Sequence, residues 1–210
     1  MARKSARASL RQEVADVFRR AILDAAEQVF GACGFADAKM TDIAQRAGLA
    51  AGTLYKHFSS KEEIFRALLE QCADEFVGTL DAELTSTPAD LREQLLRLVR
   101  AVLGYVEHRS AVFGLFLELG ATEWNIRRVG GADAERRYQS YLARFERVLD
   151  DGVREGVIRS DLSADELALL LTGSLNGFIH GWLMRGQKTA LVDRAPQLID
   201  VFLHGVETKS

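Results

Sequence analysis

Residues 41–65 read TDIAQRAGLAAGTLYKHFSSKEEIF, and their order decides the fold. Ile43, Ala44 and Ala47 stand at helical spacing, and Gly48 closes that short helix. A second short helix is predicted over Ala51–His57. It opens on side chains too small to pack, Ala50, Ala51, Gly52 and Thr53, and then presents Tyr55, Lys56 and His57. Two short helices joined at a glycine make the helix-turn-helix pattern, with Gly48 supplying the positive φ of the turn. Ile43, Ala44, Leu49, Leu54 and Phe58 are the predicted core between them. Small residues at the start of the second helix suit an element that slides along a groove wall. The helix N-terminus, with its free N–H groups and partial positive charge, suits phosphate. Thr53 and Tyr55 are placed to touch base edges, and Lys56 and His57 to reach phosphates.

Outward from this stretch the chain reads as helix throughout, about nine in all, with no strand alternation. Phe18, Ile22, Ala25, Ala26, Val29 and Phe30 form one apolar stripe, closed by Gly31 and Gly34. Ser60 with Glu63 predicts a capping box opening a helix that runs to about Leu84. TSTPAD is a break, with Pro88 suited to the first turn of the next helix. Leu91, Leu95, Leu98 and Val102 continue helically. HRSAVFGLFLELG is a short apolar helix, RVGGAD the most flexible-looking stretch, and Tyr138 to Leu149 a long amphipathic one. Ser163 and Glu166 predict a second capping box before ELALLLTGSLNGFIHGWLM, and a last helix covers about Arg194 to Val206. The expected organisation is a basic flexible arm over residues 1–15 (Arg3, Lys4, Arg7 and Arg11), a DNA-binding domain over 16–62 and a ligand-binding and dimerisation domain over 63–210.

Net charge is -3, which alone argues against a polyanion partner, but its distribution does not. Residues 1–61 hold ten Lys and Arg against six Asp and Glu, a balance of +4, and the remaining residues balance to -7. Nucleic acid would meet one end and be repelled by the other. Lys61 adds to this. A cation in the first turn of a helix opposes the helix dipole, so a phosphate partner is its predicted reason. Cys33 and Cys72 are too far apart for a CxxC site, fit the reducing cytoplasm as free thiols, and read as small buried hydrophobes. No run of 18 apolar residues suggests a membrane span. An enzyme is disfavoured. The four histidines lack H-E-x-x-H spacing, and neither G-x-S-x-G nor a P-loop occurs. No metal or cofactor is expected.

In AILDAAEQVFGACGF, DIAQRAG and GTLYKHFSSKEEIF, over residues 18–66, the chain resembles the TetR family of transcriptional regulators. The resemblance implies an N-terminal three-helix DNA-binding domain followed by a helical domain that dimerises and binds a small effector. It implies that Thr53, Tyr55, Lys56 and His57 lie on the recognition helix beside Ala51 and Gly52, that Lys61 grips the DNA backbone, and that Thr41 stands where bases or phosphates are touched. The sequence departs from the family at Lys39, where a capping Ser or Thr is usual. The cap is then missing or supplied by another residue, at a cost of about 1 kcal/mol, although Lys39 can still hold a phosphate by charge.

A helix-turn-helix reads half of a palindrome, so a homodimer is expected. Gly173, Gly177 and Gly181 recur every four residues and give one face where backbones approach closely. Leu171, Leu175, Phe178 and Trp182 flank it, with Leu198 and Phe202 from the last helix. The family places its effector pocket among the middle helices. Here these offer Phe76, Tyr105, Phe113, Phe116, Trp124, Tyr138, Tyr141 and Phe145, with His108, Glu118 and Asn176 as polar partners, which suits an apolar or aromatic molecule. The expected function is a cytoplasmic, dimeric repressor that an effector releases from operator DNA. An activator, or a helical DNA-binding protein without an effector, is the alternative.

Overall fold

The computed structural model describes residues 2–85, 90–118, 126–186 and 189–206, with backbone alone for 2–12, 116–118 and 126–131. Among the described residues the chain forms nine α-helices: α1 Ala2–Asp37, α2 Met40–Arg46, α3 Ala51–His57, α4 Lys61–Leu84, α5 Leu91–His108, α6 Ser110–Glu118, α7 Ile126–Arg154, α8 Ala164–Met184 and α9 Ala195–Val206, the last preceded by a 3-10 turn, Val192–Arg194. The backbone is helical from Ala2, so the residues expected as a flexible arm continue α1. Gly34, at φ 75°, breaks α1 before its end, while Gly31 lies within the helix. RVGGAD, expected to be flexible, is helical in backbone within α7. Pro88 lies outside the described residues; α5 starts at Leu91, where Asp90 accepts the Glu93 N–H at 2.8 Å.

Two compact units divide the chain, Met1–Gln71 and Cys72–Ser210. The division falls inside α4, later than the expected 62/63 boundary. The first turns of α4 belong to the first unit because Phe65 packs its ring on Phe30 and Phe35. In that unit α1 packs on α2 and α2 on α3, around Ile22, Leu23, Phe30, Ile43, Leu54 and Phe58, all buried.

The core of the second unit joins α5 (Leu95, Leu98, Val102), α7 (Phe145, Leu149), α8 (Leu167, Leu171, Leu175) and α9 (Ile199, Leu203). The predicted capping box of α8 is formed, with Glu166 Oε2 accepting the Ser163 N–H at 2.8 Å. That of α4 is formed in altered shape. Ser60 Oγ accepts the Glu63 N–H at 3.3 Å, but the Glu63 carboxylate turns to Ser59, accepting its N–H and its hydroxyl at 2.7 Å each. By length and composition α8 is apolar enough to cross a membrane, contrary to the expectation from apolar runs; its inner face is core of this unit. Cys72 is buried as expected, but Cys33 is exposed and donates its thiol to Val29 O at 3.2 Å.

Candidate nucleic-acid interface and effector core

The turn between α2 and α3 is built as the sequence requires. Gly48 has φ 68°, and Leu49 N donates back to Ala44 O at 2.9 Å. Ile43, Ala44, Leu54 and Phe58 are buried, and Leu49 is half-buried. Ala51, Gly52, Tyr55 and Lys56 are exposed and Thr53 is half-buried, so α3 presents the expected face. Tyr55, an aromatic ring, is left 53% exposed. A methyl group on Gly52 would meet nothing within 4 Å, so only an outside surface would require this residue to be small. Lys39 and Thr41 are exposed at the start of α2. Lys39 holds the N-cap position without a side-chain cap, as its departure from the family pattern predicts. His57 is half-buried with its ring 5.8 Å from that of Phe18, which gives it a packing partner as well as a place on α3.

Lys61 corrects the expectation placed on it. Its ammonium donates to Phe35 O at 2.8 Å, Ala36 O at 2.7 Å and Ala38 O at 3.2 Å, and stands 4.9 Å from the centre of the Phe35 ring. An ammonium has three donors, and three carbonyls take them. The carbonyls of Phe35 and Ala36 lie beyond the break at Gly34, and that of Ala38 follows the end of α1. Lys61 is badly placed for its own helix but its donors are taken by this turn, so its position requires no phosphate.

In the second unit the expected pocket residues divide. Phe113, Tyr105, Phe76, Tyr141 and Tyr138 form a chain of rings with successive centroids 6.3, 5.2, 5.4 and 6.1 Å apart, and Phe145 branches from Tyr141 at 5.4 Å. Phe145 and Tyr141 are buried in the core; the others are half-buried. Tyr105 Oη donates to Cys72 O at 2.7 Å and approaches Glu75 Oε2 at 3.2 Å, and Glu75 also takes Arg109 Nη2 at 2.6 Å. Burial first, then the neighbouring Cys72 and Glu75, pushes the Tyr105 phenol far above its ordinary range, so it stays a neutral donor. His108 is exposed at the end of α5, outside this chain of rings. Asn176 is half-buried on α8. The side chains of Phe116, Glu118 and Trp124 lie outside the described residues.

The face of α8 also needs correction. Leu171, Leu175 and Trp182 do not flank the glycines on an outer surface; they are core of their own unit, and Trp182 Nε1 donates to Thr189 O at 2.7 Å. Leu198 and Phe202 of α9 are half-buried against the same core. The outer stripe is Leu169, Leu170, Gly173, Gly177, Phe178 and Met184, with Val201 exposed on α9. A methyl on Gly173, Gly177 or Gly181 would meet nothing within 4 Å, so no neighbour among the described residues explains them. The sequence missed Leu169, Leu170 and Met184 because α8 is apolar all round, which hides its sidedness.

A short helix pair turned at glycine with an exposed second helix, in a chain whose larger unit is helical throughout its described residues, defines a helix-turn-helix DNA-binding transcriptional regulator. Two family descriptions match the chain: "Bacterial regulatory proteins, tetR family" over residues 22–68, and "MAATS-type transcriptional repressor, C-terminal region" over residues 89–207. The chain belongs to the TetR family of transcriptional regulators, a family without enzymatic activity. It is similar to the fatty acid metabolism regulator protein of Bacillus subtilis, 24% identical over 190 residues, covering 90% of this chain and 95% of that one. The structure of FadR from Bacillus subtilis in complex with stearoyl-CoA superposes with a TM-score of 0.74 at 22% identity, over 90% of this chain and 99% of that one. The ketosteroid regulator KstR2 of Mycobacterium tuberculosis superposes with a TM-score of 0.71 at 25% identity, over 91% and 95% of the two chains. Among the described residues no group of three or more His, Cys, Asp or Glu side chains is arranged to hold a metal.

Proposed function

We propose that the protein is a homodimeric repressor, acting in the cytoplasm, that leaves its operator when an extended apolar effector enters the second unit. The observation that carries this reading is the pair of faces with no occupant in the chain. The α3 face is small and polar, with open space over Gly52, and the α8 face is apolar, with open space over three glycines. Thr53 and Tyr55 read bases, Ala51 and Gly52 allow close approach, and Lys39, Thr41, Lys56 and His57 meet the phosphate backbone. The second face takes a second copy of the chain, which sets the two reading helices at the half-site spacing. The ring chain from Phe113 to Tyr138 supplies an apolar lining. Relatives that regulate fatty-acid metabolism or are complexed with stearoyl-CoA favour a fatty acyl or similarly elongated molecule. The C-terminal match to a repressor family favours repression over activation.

Effector and operator are linked. An effector that binds better to the DNA-free form weakens DNA binding by the same factor. The test is a mobility shift on the DNA upstream of the protein's own coding sequence, across a salt series and against scrambled DNA, with and without stearoyl-CoA. Sequence-selective binding that weakens with salt and is released by the acyl compound is expected. Equal binding to both DNAs, together with no preferred site in a selection from random sequence, would overturn the reading.

A further inference from the structure

Residues 2–21 of α1 precede the stretch matched to the family's DNA-binding region, which begins at residue 22. They hold neither Gly nor Pro, and Ala2, Ala6, Ala8 and Leu10 favour a helix, so nothing local interrupts the backbone over these turns. Phe18, Ile22, Ala25 and Val29 make the inward line of α1. Ile22 and Ala25 are buried, Phe18 and Val29 are half-buried, and the Phe18 ring lies 5.8 Å from that of His57 at the end of α3. Continued toward Ala2 at the same steps of three and four residues, this line passes Ala15, then Arg11, Arg7 and Lys4. Arg3 stands one position aside, four residues before Arg7. Glu13 and Asp16, both exposed, fall on the opposite face, and residues 2–12 hold no acid. At about 1.5 Å per residue, Arg11 stands about 10 Å and Lys4 about 21 Å along the helix from the point where α1 meets α3.

We propose that residues 3–11 are a helical arm that lies along the phosphate backbone beside the groove entered by α3, with Arg3, Lys4, Arg7 and Arg11 meeting phosphates. The proposal goes beyond the function above and rests on its placing of α3 on DNA. Charge and register carry it together. Cations four apart on a helix repel, as from Arg3 to Arg7 and from Arg7 to Arg11, and Arg3 and Lys4 stand in a first turn, where the dipole opposes them. A polyanion relieves both conflicts. A first-turn cation alone is no sign of phosphate, as Lys61 shows, so the register decides. The cationic face continues the one that meets α3, and DNA held by α3 lies on that side of α1. A lipid surface would require a wide apolar face beside the charge. The apolar positions beside this one are Leu10, Val14 and Val17, without an aromatic, so nucleic acid is the better partner. Contacts to phosphate carry no sequence information, so the arm adds affinity for any duplex and leaves discrimination to α3.

The test uses the full-length protein and two duplexes of equal length, the DNA upstream of its coding sequence and a scrambled counterpart. Affinity is read by fluorescence anisotropy across a salt series, and folding of each variant by its melting curve. Arg3→Gln, Lys4→Gln, Arg7→Gln and Arg11→Gln combined are expected to weaken both duplexes by the same factor, about tenfold or more, and to flatten the salt slope by about two to four units per subunit. Proline is tolerated in the first turn of a helix and not in its interior. Ser9→Pro therefore keeps every charge, starts α1 at about residue 9 and frees Arg3, Lys4 and Arg7 from its register. It should flatten the slope at least half as much as the combined variant. A Ser9→Pro protein with the wild-type slope would show that the cations act without a helix, and a combined variant with the wild-type slope would remove the contact; either overturns the arm. Loss confined to the upstream fragment would move these residues to base readout and overturn it as well. Vesicles of anionic phospholipid that hold the wild type and release the combined variant, with the DNA slope unchanged, would assign the arm to a membrane instead. If the wild type binds neither duplex and selects no site from random sequence, the reading of α3 fails and the arm with it.

Discussion

Gly52 on α3 and Gly173, Gly177 and Gly181 on α8 share one condition: a methyl group on any of them would meet no atom within 4 Å. Glycine costs roughly 1 kcal/mol relative to alanine in a helix interior, and no close neighbour among the described residues offsets that at these four positions. Their surroundings differ. Gly52 is followed by Thr53, Tyr55 and Lys56 on a helix of seven residues. The α8 glycines stand among Leu169, Leu170, Phe178 and Met184 on a helix of 21 residues. A small polar face on a short helix suits a charged partner met and left again. A long apolar face suits a partner that stays, because exposing such a surface to water is unfavourable throughout the life of the chain. Open space also stands over Gly78, Gly104, Gly114 and Gly205, so it is the neighbours of the glycines on α3 and α8, and not the space alone, that set these two faces apart.

The comparison breaks most visibly on α8, where one helix carries two faces. Leu175→Ala removes a fully buried side chain from the core and is expected to cost about 2–5 kcal/mol of stability, read by denaturant unfolding, while the protein below its melting temperature stays dimeric. Phe178→Glu places a charge on the outer stripe. It should leave the fold of the monomer intact and cost at least about 2 kcal/mol of association, read by sedimentation equilibrium, with operator binding lost at the same protein concentrations. A Phe178→Glu protein that remains dimeric would show that the outer stripe of α8 is not the interface.

On α3 two substitutions sharpen the contrast. Gly52→Ala should stabilise the free protein by up to about 1 kcal/mol, because alanine favours the helix and open space receives its methyl group, and yet weaken operator DNA. Tyr55→Ala should leave the melting temperature unchanged and weaken the operator by roughly 1–3 kcal/mol, with little effect on scrambled DNA. Stability and DNA affinity that fall together at Gly52 would place the requirement for a small residue inside the chain.

The helix-turn-helix was legible because everything that makes it is local. The turn glycine, the core positions of α2 and α3, and the small residues that open α3 lie within 25 residues and follow helical spacing. What was not legible depends on distant segments meeting. Asp74 accepts from Arg137 across 63 residues of sequence, and no periodicity pairs them. The sidedness of α8 was hidden because apolar residues stand on both its faces. Lys61 shows the limit most clearly. A cation in a first turn is visible in the sequence as a local conflict, but the three carbonyls that resolve it, those of Phe35, Ala36 and Ala38, stand 23 to 26 residues earlier. Reading the conflict as a sign of phosphate was sound local physics applied to a contact that is not local. Lys61→Met keeps the alkyl stem and removes the donors. It should lower stability by about 1–2 kcal/mol, since these are charge-assisted bonds to partly exposed acceptors, and leave the salt slope of DNA binding unchanged. A slope reduced by about one unit per subunit would return Lys61 to the phosphate backbone.

The smallest effect lies two residues further along, in the same first turn of α4. The Glu63 carboxyl is held below its ordinary value, first by the Ser59 N–H and then by the Ser59 hydroxyl, both of which bond the ionised form. A carboxyl whose value is depressed on folding stabilises the fold above its unfolded value and loses that contribution as pH falls through the folded one. The window therefore begins near the ordinary carboxylate range, about pH 4–5, and extends to more acid conditions. Glu63→Gln keeps the shape and removes the charge, so its melting temperature should lie below that of the wild type at neutral pH, with the gap closing as both are acidified. Glu63 is on the surface, so the gap is small, and a pH series is a better measure of it than any one melting temperature. A gap that stays constant down to about pH 3 would mean that the Ser59 bonds act through geometry alone and that the charge contributes nothing to the start of α4.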